Sequence, residues 1–318
     1  MGLLQAALLP ATPSRLGPVA TSAAYRPADG PGAGGDFYDL FALDDGQLGI
    51  IVGDLSGHGR LALPHTALVR FTLRAYLEAG LSPRNVLQTA ASVLERQLGD
   101  SFATVVVATY HPRARVLVYA CAGHPPPIVI GSQPITPLAV CCSPPIGAGL
   151  ATGTRQTTVE LPGESLVCFY TDGVTDARIG TQFFGTARLE HTLDELGPDV
   201  TASAVLDNVS RATDRRPDDM AACLLRITGD RSRPSIRTEE LALDRAQAVG
   251  DMSERFLAVC GIDPDEIVAV VRAARASVAR AGTVVLKVRF RDGVPEVTMR
   301  QRGLALVQLS AHQAASAS

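Results

Sequence analysis

The stretch Gly34–Gly59, GGDFYDLFALDDGQLGIIVGDLSGHG, carries the punctuation from which the fold is read. Two apolar segments rich in aromatic and β-branched residues, Phe37–Leu43 and Gln47–Val52, flank Asp44-Asp45-Gly46. An Asp-Gly tip between two such runs predicts an antiparallel hairpin, because glycine accepts the positive φ that the turn demands. Aspartates stand near the strand ends, Asp36 before the first and Asp54 after the second. A glycine-rich loop follows, and then Leu61, Leu68, Phe71 and Ala75 fall at the spacing of one helical stripe.

The pattern continues outward from this hairpin. Ser82 as N-cap with Pro83 at the first helical position predicts a second helix to about Leu98. Strands are expected at Ala103–Tyr110 and Val116–Ala120 around His111-Pro112-Arg113, and at Arg155–Leu161 and Leu166–Tyr170 around Pro162-Gly163-Glu164. Helices Thr186–Leu196 and Thr201–Ala212 and a last strand Met220–Arg226 complete the series. Hairpins without regular βαβ alternation predict an α+β layered domain built on antiparallel sheets, over residues 23–229. Residues 1–22 read as a helical or linker segment, Leu3–Leu9 being halted by Pro10 and Pro13. A polar stretch, Gly229–Pro234, leads to a smaller α/β unit over residues 236–310. It has a strand near Ile236–Leu243, helices near Gln247–Val259 and Pro264–Ala281, and a hairpin of Val284–Phe290 and Val294–Arg300. Residues 311–318 form an Ala/Ser/Gln-rich tail expected to be flexible.

Composition narrows the function classes. With 318 residues, 46% hydrophobic and 19% charged, the chain has material for two packed domains and is not wholly disordered. A net charge of −3 removes the electrostatic case for a nucleic-acid or anionic-membrane surface. No apolar run reaches the ~18 residues of a spanning helix, and no basic residue precedes the apolar start, so a cytoplasmic location is expected. Cys121, Cys168 and Cys223 sit inside apolar strand-like runs, Cys141 and Cys142 are adjacent, and no C-x-x-C pair exists; reduced core thiols are expected. Positive charge comes from arginine apart from Lys287, which reads as compositional bias. The acid is concentrated: residues 1–230 carry 16 basic against 22 acidic residues, and residues 231–318 carry 13 against 10.

Gly30–Gly35 satisfies G-x-G-x-x-G, but it precedes a strand and not a helix, and Pro31 lacks an N–H, so a dinucleotide loop is set aside. The aspartates carry more. Asp36, Asp54, Asp172 and Asp218-Asp219 lie at strand ends or in glycine turns; each alone is ordinary turn chemistry. If they converge, two carboxylates ~5 Å apart at an effective dielectric of ~20 repel by roughly 3 kcal/mol. Such a cluster needs protons or cations, and an all-oxygen donor set favours Mg²⁺ or Mn²⁺.

The order and wording of the motifs resemble the PPM-type, metal-dependent serine/threonine phosphatases of the bacterial SpoIIE/RsbU-like branch. The matching pieces are YRPADGPGAGGDFYDLF, GDLSGHG, FATVVVATY, YACAGHPPPIVI, SPPIGAG, PGESLVCFYTDGVTDAR and DDMAACLL, in that order. The resemblance implies an αββα sandwich, two antiparallel sheets flanked by helices, with two Mn²⁺ or Mg²⁺ ions at one edge. It implies that Asp54 bridges both ions, the Leu55 carbonyl adds a ligand, Asp172 and Asp218 hold one ion, and Asp36 serves the other directly or through water. Asp219 is the ambiguous neighbour of Asp218. A hydroxide between the ions would then attack phosphorus in line.

His58 is a candidate general acid for the leaving group, with a structural role in the glycine turn as the competing reading. His124 is read as loop packing, Asp176 stands where the family often has glutamate, and Arg26 and Arg60 are phosphate-gripping candidates by sequence proximity only. Residues 236–310 faintly resemble histidine-kinase-like ATPase modules, but helix Pro264–Ala281 has no asparagine and no Gly-rich lid follows, so a non-catalytic role is expected. The expected activity is therefore a protein serine/threonine phosphatase acting on a phosphorylated anti-anti-sigma-type regulator, with a separate sensor or regulator as a possible partner. A catalytically weak phosphoprotein-binding regulator of the same fold is the alternative, and a hydrolase of small phosphoesters is a third reading.

Overall fold

The computed structural model describes residues 10, 12–28, 35–44, 46–57, 62–131, 143–215, 218–228, 236–291 and 293–301, and the backbone of 307–308. The expected helix Leu3–Leu9, most of the glycine-rich run 30–35, His58, Arg60, Cys141, Cys142 and the tail lie outside the described residues. Contacts divide the described residues into two units. One lies within Met1–Gly153 and Glu160–Ser235, the other within Thr154–Val159 and Ile236–Ser318.

In the first unit, β3 (Phe37–Ala42), β4 (Leu48–Leu55), β5 (Ala103–His111) and β6 (Val116–Ala122) pair in sequence order, each antiparallel to the next. The tip between β3 and β4 closes as the Asp-Gly signal requires: Gly46 has φ +78°, and Leu43 N–H donates to Gln47 O at 2.8 Å. A second sheet has the order β1 (Arg15–Leu16), β2 (Val19–Arg26), β12 (Met220–Ile227), β9 (Ser165–Tyr170), β7 (Ile128–Gly131). Strand β2 begins inside the stretch read from sequence as an N-terminal segment, because its residues Ala20–Arg26 pair with Met220–Arg226 of β12.

Helices cover the outer face of each sheet. The pair α1 (Leu63–Glu78) and α2 (Pro83–Leu98) shares a core with Phe37, Ile51, Val105 and Ala120 of the first sheet. Helices α3 (Asp172–Asp176), α4 (Gly185–Leu196) and α5 (Ala202–Ala212) share another with Cys168, Ala222 and Leu224 of the second. Residues of the opposite parity, such as Ile50, Val167 and Leu225, are also fully buried. With both faces covered, the strands read as unbroken apolar runs and not as alternation. The architecture is the expected α+β sandwich of helix, sheet, sheet, helix. Cys121, Cys168, Cys223 and Cys260 are buried free thiols, in line with the reading of core cysteines.

Two local expectations are corrected. On α1 the predicted stripe faces outward: Leu68 is 38% and Phe71 51% exposed, and Val69, Leu73 and Leu77 are buried instead. The face turned inward includes Arg70, a residue an apolar count rejects. Its Nη2 donates to Asp39 Oδ2 at 2.9 Å, and Asp39 is 1% exposed. Arg74 adds bonds at 3.3 Å to both Asp39 oxygens. The strands flanking Pro162-Gly163-Glu164 are not partners either. β9 pairs with β12 and β7, and β8 (Arg155–Glu160) lies beside β13 (Ile236–Asp244).

In the second unit, β13, β14 (Thr283–Arg291), β15 (Val294–Gln301) and β16 (Val307–Gln308) form an antiparallel series, extended beyond β13 by β8. Thr157 Oγ1 donates to the buried Glu239 at 2.6 Å. Helices α6 (Met252–Val259) and α7 (Pro264–Ala281) pack on one another, and α7 on β14. Helix α7 matches its predicted bounds because Asp263 caps it, Pro264 opens it and Gly282 at φ +77° ends it. Helix α6 starts later than the expected Gln247. Asp244 and Gln247 exchange side-chain-to-backbone bonds of 2.9 and 3.0 Å, which hold that segment as a turn. No described helix is long and apolar enough to cross a membrane.

Removing one partner of a buried pair leaves an uncompensated charge, at a cost of about 3–5 kcal/mol. Asp39→Asn should therefore lower the unfolding free energy, read from urea titration, by that amount. The double variant Asp39→Leu/Arg70→Met should recover most of the loss, because an apolar pair replaces the ion pair.

Candidate metal centre

Register brings the aspartates to sheet ends in two pairs. Phe37 pairs with Gly53 across β3 and β4, so Asp36 and Asp54 leave the first sheet side by side. Ala222 pairs with Tyr170 across β12 and β9, so Asp172 and Asp218 leave the second sheet at a matching end. One carboxylate oxygen each of Asp54, Asp172 and Asp218 lies within 4.8 Å of the others, close enough to share a cation. Asp36 is buried beside them and feels the charges of Asp54, Asp219 and Asp218. The sequence-predicted carboxylates thus converge.

Two polar links join the sheets beneath these ends. Thr171 Oγ1, fully buried, donates to Asp36 Oδ2 at 2.7 Å and accepts from Ala221 N–H at 2.9 Å. His124, which is 1% exposed, spans the other gap: its Nε2 faces Tyr170 O at 3.0 Å and its Nδ1 faces Thr104 Oγ1 at 3.2 Å. A carbonyl only accepts, so Nε2 carries the proton and Nδ1 accepts from Thr104. Thr104 is the cross-strand partner of Asp54, and Tyr170 lies two residues before Asp172. His124 is a strut between two strand ends that carry candidate ligands, which fits its reading as a packing residue.

Asp219 is held differently from Asp218. Its Oδ2 accepts from Tyr25 Oη at 2.5 Å and its Oδ1 from Ala28 N–H at 2.7 Å, tying the β2 end to the turn before β12. Arg26 is engaged by Asp207 and Ser203 of α5 at 2.8 Å each, so it does not reach toward a phosphate here. The loop after Asp54 is clamped by Ser56, whose N–H donates to Phe102 O and whose Oγ accepts from Phe102 N–H, both at 2.8 Å. Thr171, Tyr25 and Gly35 are the site residues that sequence reasoning missed; only the threonine inside YTDG offered a signal, by its place beside Asp172.

Gly35 and Gly173 are forced by proximity. A Cβ on Gly35 would overlap the Leu55 carbonyl oxygen and Asp54 Oδ1. One on Gly173 would overlap the Asp219 carbonyl oxygen. The space beside Asp54 and the Leu55 carbonyl is therefore kept clear by the absence of a side chain.

The electrostatics describe a site short of positive charge. Burial, and then the charges of Asp218, Asp172 and Asp219, push the Asp54 carboxyl up to about 8. Burial and Asp54 raise Asp36 well above the ordinary carboxylate range, against the hydrogen bond from Thr171. Burial and Asp176 raise Asp172. Crowded carboxylates that resist ionisation are what a hard divalent cation relieves, and all the donors are oxygens, so the residues fit Mg²⁺ or Mn²⁺.

An acidic cluster at the shared edge of two antiparallel sheets with outer helices points to the PPM, or PP2C, class of serine/threonine phosphatases. Within that class the chain belongs to the SpoIIE family: the family described as Stage II sporulation protein E matches residues 44–228. The family is metal-dependent. Among curated relatives, Protein IcfG of Synechocystis is 30% identical over 202 residues, covering 54% of this chain and 31% of that protein. Phosphoserine phosphatase RsbP of Bacillus subtilis is 27% identical over 159 residues, covering 47% of this chain and 38% of that protein. The chain thus spans less than half the length of these two relatives. A crystal structure of the RsbU and RsbW domains of Rv1364c from Mycobacterium tuberculosis superposes with a TM-score of 0.57 at 24% identity, covering 90% of this chain and 84% of that one. That likeness extends the shared fold into the second unit.

Gly35→Ala should abolish Mn²⁺ binding measured by calorimetry and leave the far-ultraviolet circular dichroism unchanged, since the methyl group displaces the ligands and not the core. His124 gives a pH signature. Burial lowers its pKa from 6.5 to about 4, so it contributes stability above pH 6.5 that is lost as pH falls from 6.5 through 4. The thermal midpoint of His124→Gln, which keeps a donor for Tyr170 O, should fall less steeply over that window than that of the wild type.

Proposed function

We propose that this chain is a metal-dependent protein serine/threonine phosphatase. The observation that carries the reading is the convergence of Asp54, Asp172 and Asp218 within 4.8 Å in a chain of the SpoIIE family. Asp54, crowded by Asp218, Asp172 and Asp219, would be shared between two divalent ions, with the Leu55 carbonyl as a further donor. Asp172 and Asp218 would hold one ion, and Asp36 would serve the other, directly or through water. Asp219 braces Asp218 through the turn, its own oxygens being taken up by Tyr25 and Ala28.

Bound Mn²⁺ or Mg²⁺ supplies Lewis-acid stabilisation of charge on the phosphoryl group and lowers the pKa of water. The protein's part is geometric. The Thr171 and His124 links fix the distance between the two sheet ends, so the carboxylates cannot relax apart when unneutralised. Gly35 and Gly173 let two backbone segments approach the centre closely. His58, four residues after Asp54 in the sequence, is the candidate for protonating the departing seryl or threonyl oxygen.

The name of the relative RsbP, a phosphoserine phosphatase, supports a phosphoserine substrate. A phosphorylated regulator of the anti-anti-sigma type is the proposed protein substrate. The cytoplasm, where such regulators act, is the proposed location.

Hydrolysis of an aryl phosphate with Mn²⁺ tests the reading. The wild type should turn over, EDTA should abolish turnover, and Asp54→Ala and Asp172→Asn should each lose at least about a hundredfold in kcat, the scale of removing a charge-stabilising group. Equal rates in all three proteins would sink the metal mechanism. Binding of phosphoprotein without turnover would favour the regulator reading.

A further inference from the structure

Between the two segments that carry Asp172 and Asp218 lies a small hairpin that the metal centre does not use. Strands β10 (Arg178–Ile179) and β11 (Gln182–Phe183) pair with Arg178 opposite Phe183, turning at Gly180 with φ +59°. The hairpin leaves α3 two residues after Asp176. It is tied to the segment before Asp218: Arg178 N–H donates to Arg215 O at 3.0 Å, Asp214 N–H to Arg178 O at 2.7 Å, and Gly180 N–H to Asp214 Oδ2 at 2.8 Å. Its far strand is pinned from α4. Arg188 Nη1 donates to Phe183 O at 2.7 Å and Phe184 O at 3.0 Å, and its Nη2 to Gln182 Oε1 at 3.1 Å. Phe184 is buried beneath, and Phe183 is 49% exposed.

The Arg178 guanidinium lies 3.7 Å from the centroid of the exposed Phe183 ring. Stacking consumes the face of the guanidinium and leaves its N–H edge available, and that edge forms the fork that matches a carboxylate. The side chain is thereby ordered before a ligand arrives, which cuts the entropy cost of using it. Its charge is felt at Asp176, which in turn feels Asp218, so the fork stands on the rim of the acidic centre. Arg26 is committed to Asp207, so it does not compete for this role.

Resting on the phosphatase reading, we propose that the Arg178–Phe183 platform is a specificity site. It binds an acidic side chain of the polypeptide flanking the phosphoresidue, with the Phe183 ring packing against the peptide. A cation here offsets the repulsion that the carboxylate centre and the dianionic phosphate exert on an acidic segment, and the exposed ring gives a polypeptide a contact that a small phosphoester does not use. The platform would thus separate a protein substrate from a simple ester.

The test uses two phosphoserine peptides that differ only in flanking residues, acidic or neutral, with the full chain and Mn²⁺. The wild type should prefer the acidic peptide in kcat/KM by about 10- to 100-fold, the range of a charge-assisted bidentate bond. Arg178→Ala should bring that ratio near unity through KM, Arg178→Lys should restore part of it, and Phe183→Ala should lower it. Fluorescence anisotropy of the same labelled peptides reads the preference without turnover. No preference in the wild type, or one undiminished in Arg178→Ala, overturns the proposal. So does a loss in Arg178→Ala that is equal for both peptides and for an aryl phosphate, which would place the fork on the phosphoryl group. Absence of Mn²⁺-dependent turnover of every substrate by the wild type would defeat the phosphatase reading, and anisotropy would still decide this one.

Discussion

Mutual repulsion among carboxylates is the constraint around which the first unit is arranged. Asp36, Asp54, Asp172 and Asp218 leave two different sheets at one edge, and nothing in their own chemistry favours the approach. What holds them is apolar burial on both faces of each sheet, together with two inter-sheet links that do not depend on any ion. Thr171 reaches across to Asp36, and His124 runs from Thr104 to Tyr170. The fold does work against the charge, and that work is available to a cation as binding energy. A site preorganised in this way binds an ion more tightly than flexible acids would, because the repulsive geometry is already in place.

The same economy explains the positions of the polar core residues. Asp39 lies three residues after Asp36 on β3, deep against α1, where it is neutralised by Arg70 and Arg74. Among the described residues Asp36 meets no such cation, and it accepts a hydrogen bond from the Thr171 hydroxyl. The two aspartates lie three residues apart and share a degree of burial, yet the first is left in need of positive charge and the second is satisfied. Environment, and not residue type, separates a candidate ligand from a structural ion pair.

Much of this was legible in the sequence, and the failures have physical reasons. The β3–β4 hairpin was readable because the Asp-Gly tip and the apolar runs agree. The carboxylates were readable because they adjoin strands too apolar to be exposed. The inward face of α1 was not, because a buried arginine with an aspartate partner occupies a position that periodicity assigns to an apolar residue, and the exposed Leu68 and Phe71 mimic a core stripe. The Pro162-Gly163-Glu164 turn reads as a hairpin tip, but tip chemistry does not say whether the next strand returns to the same sheet. Gly35 could not be singled out among neighbouring glycines, because its necessity comes from Leu55 and Asp54 about twenty residues away. The two-residue strands β10 and β11 are too short to show any period.

The pairing of β2 with β12 has a consequence for how such a unit is used. Ala20 lies opposite Arg226, so a strand near the start of the sandwich and its last strand run antiparallel as neighbours within one sheet. The chain therefore arrives and departs at nearly the same point on the surface. A unit with adjoining ends is portable: further domains can be joined at that point of its surface. Relatives more than twice as long as the matched region are what such portability permits.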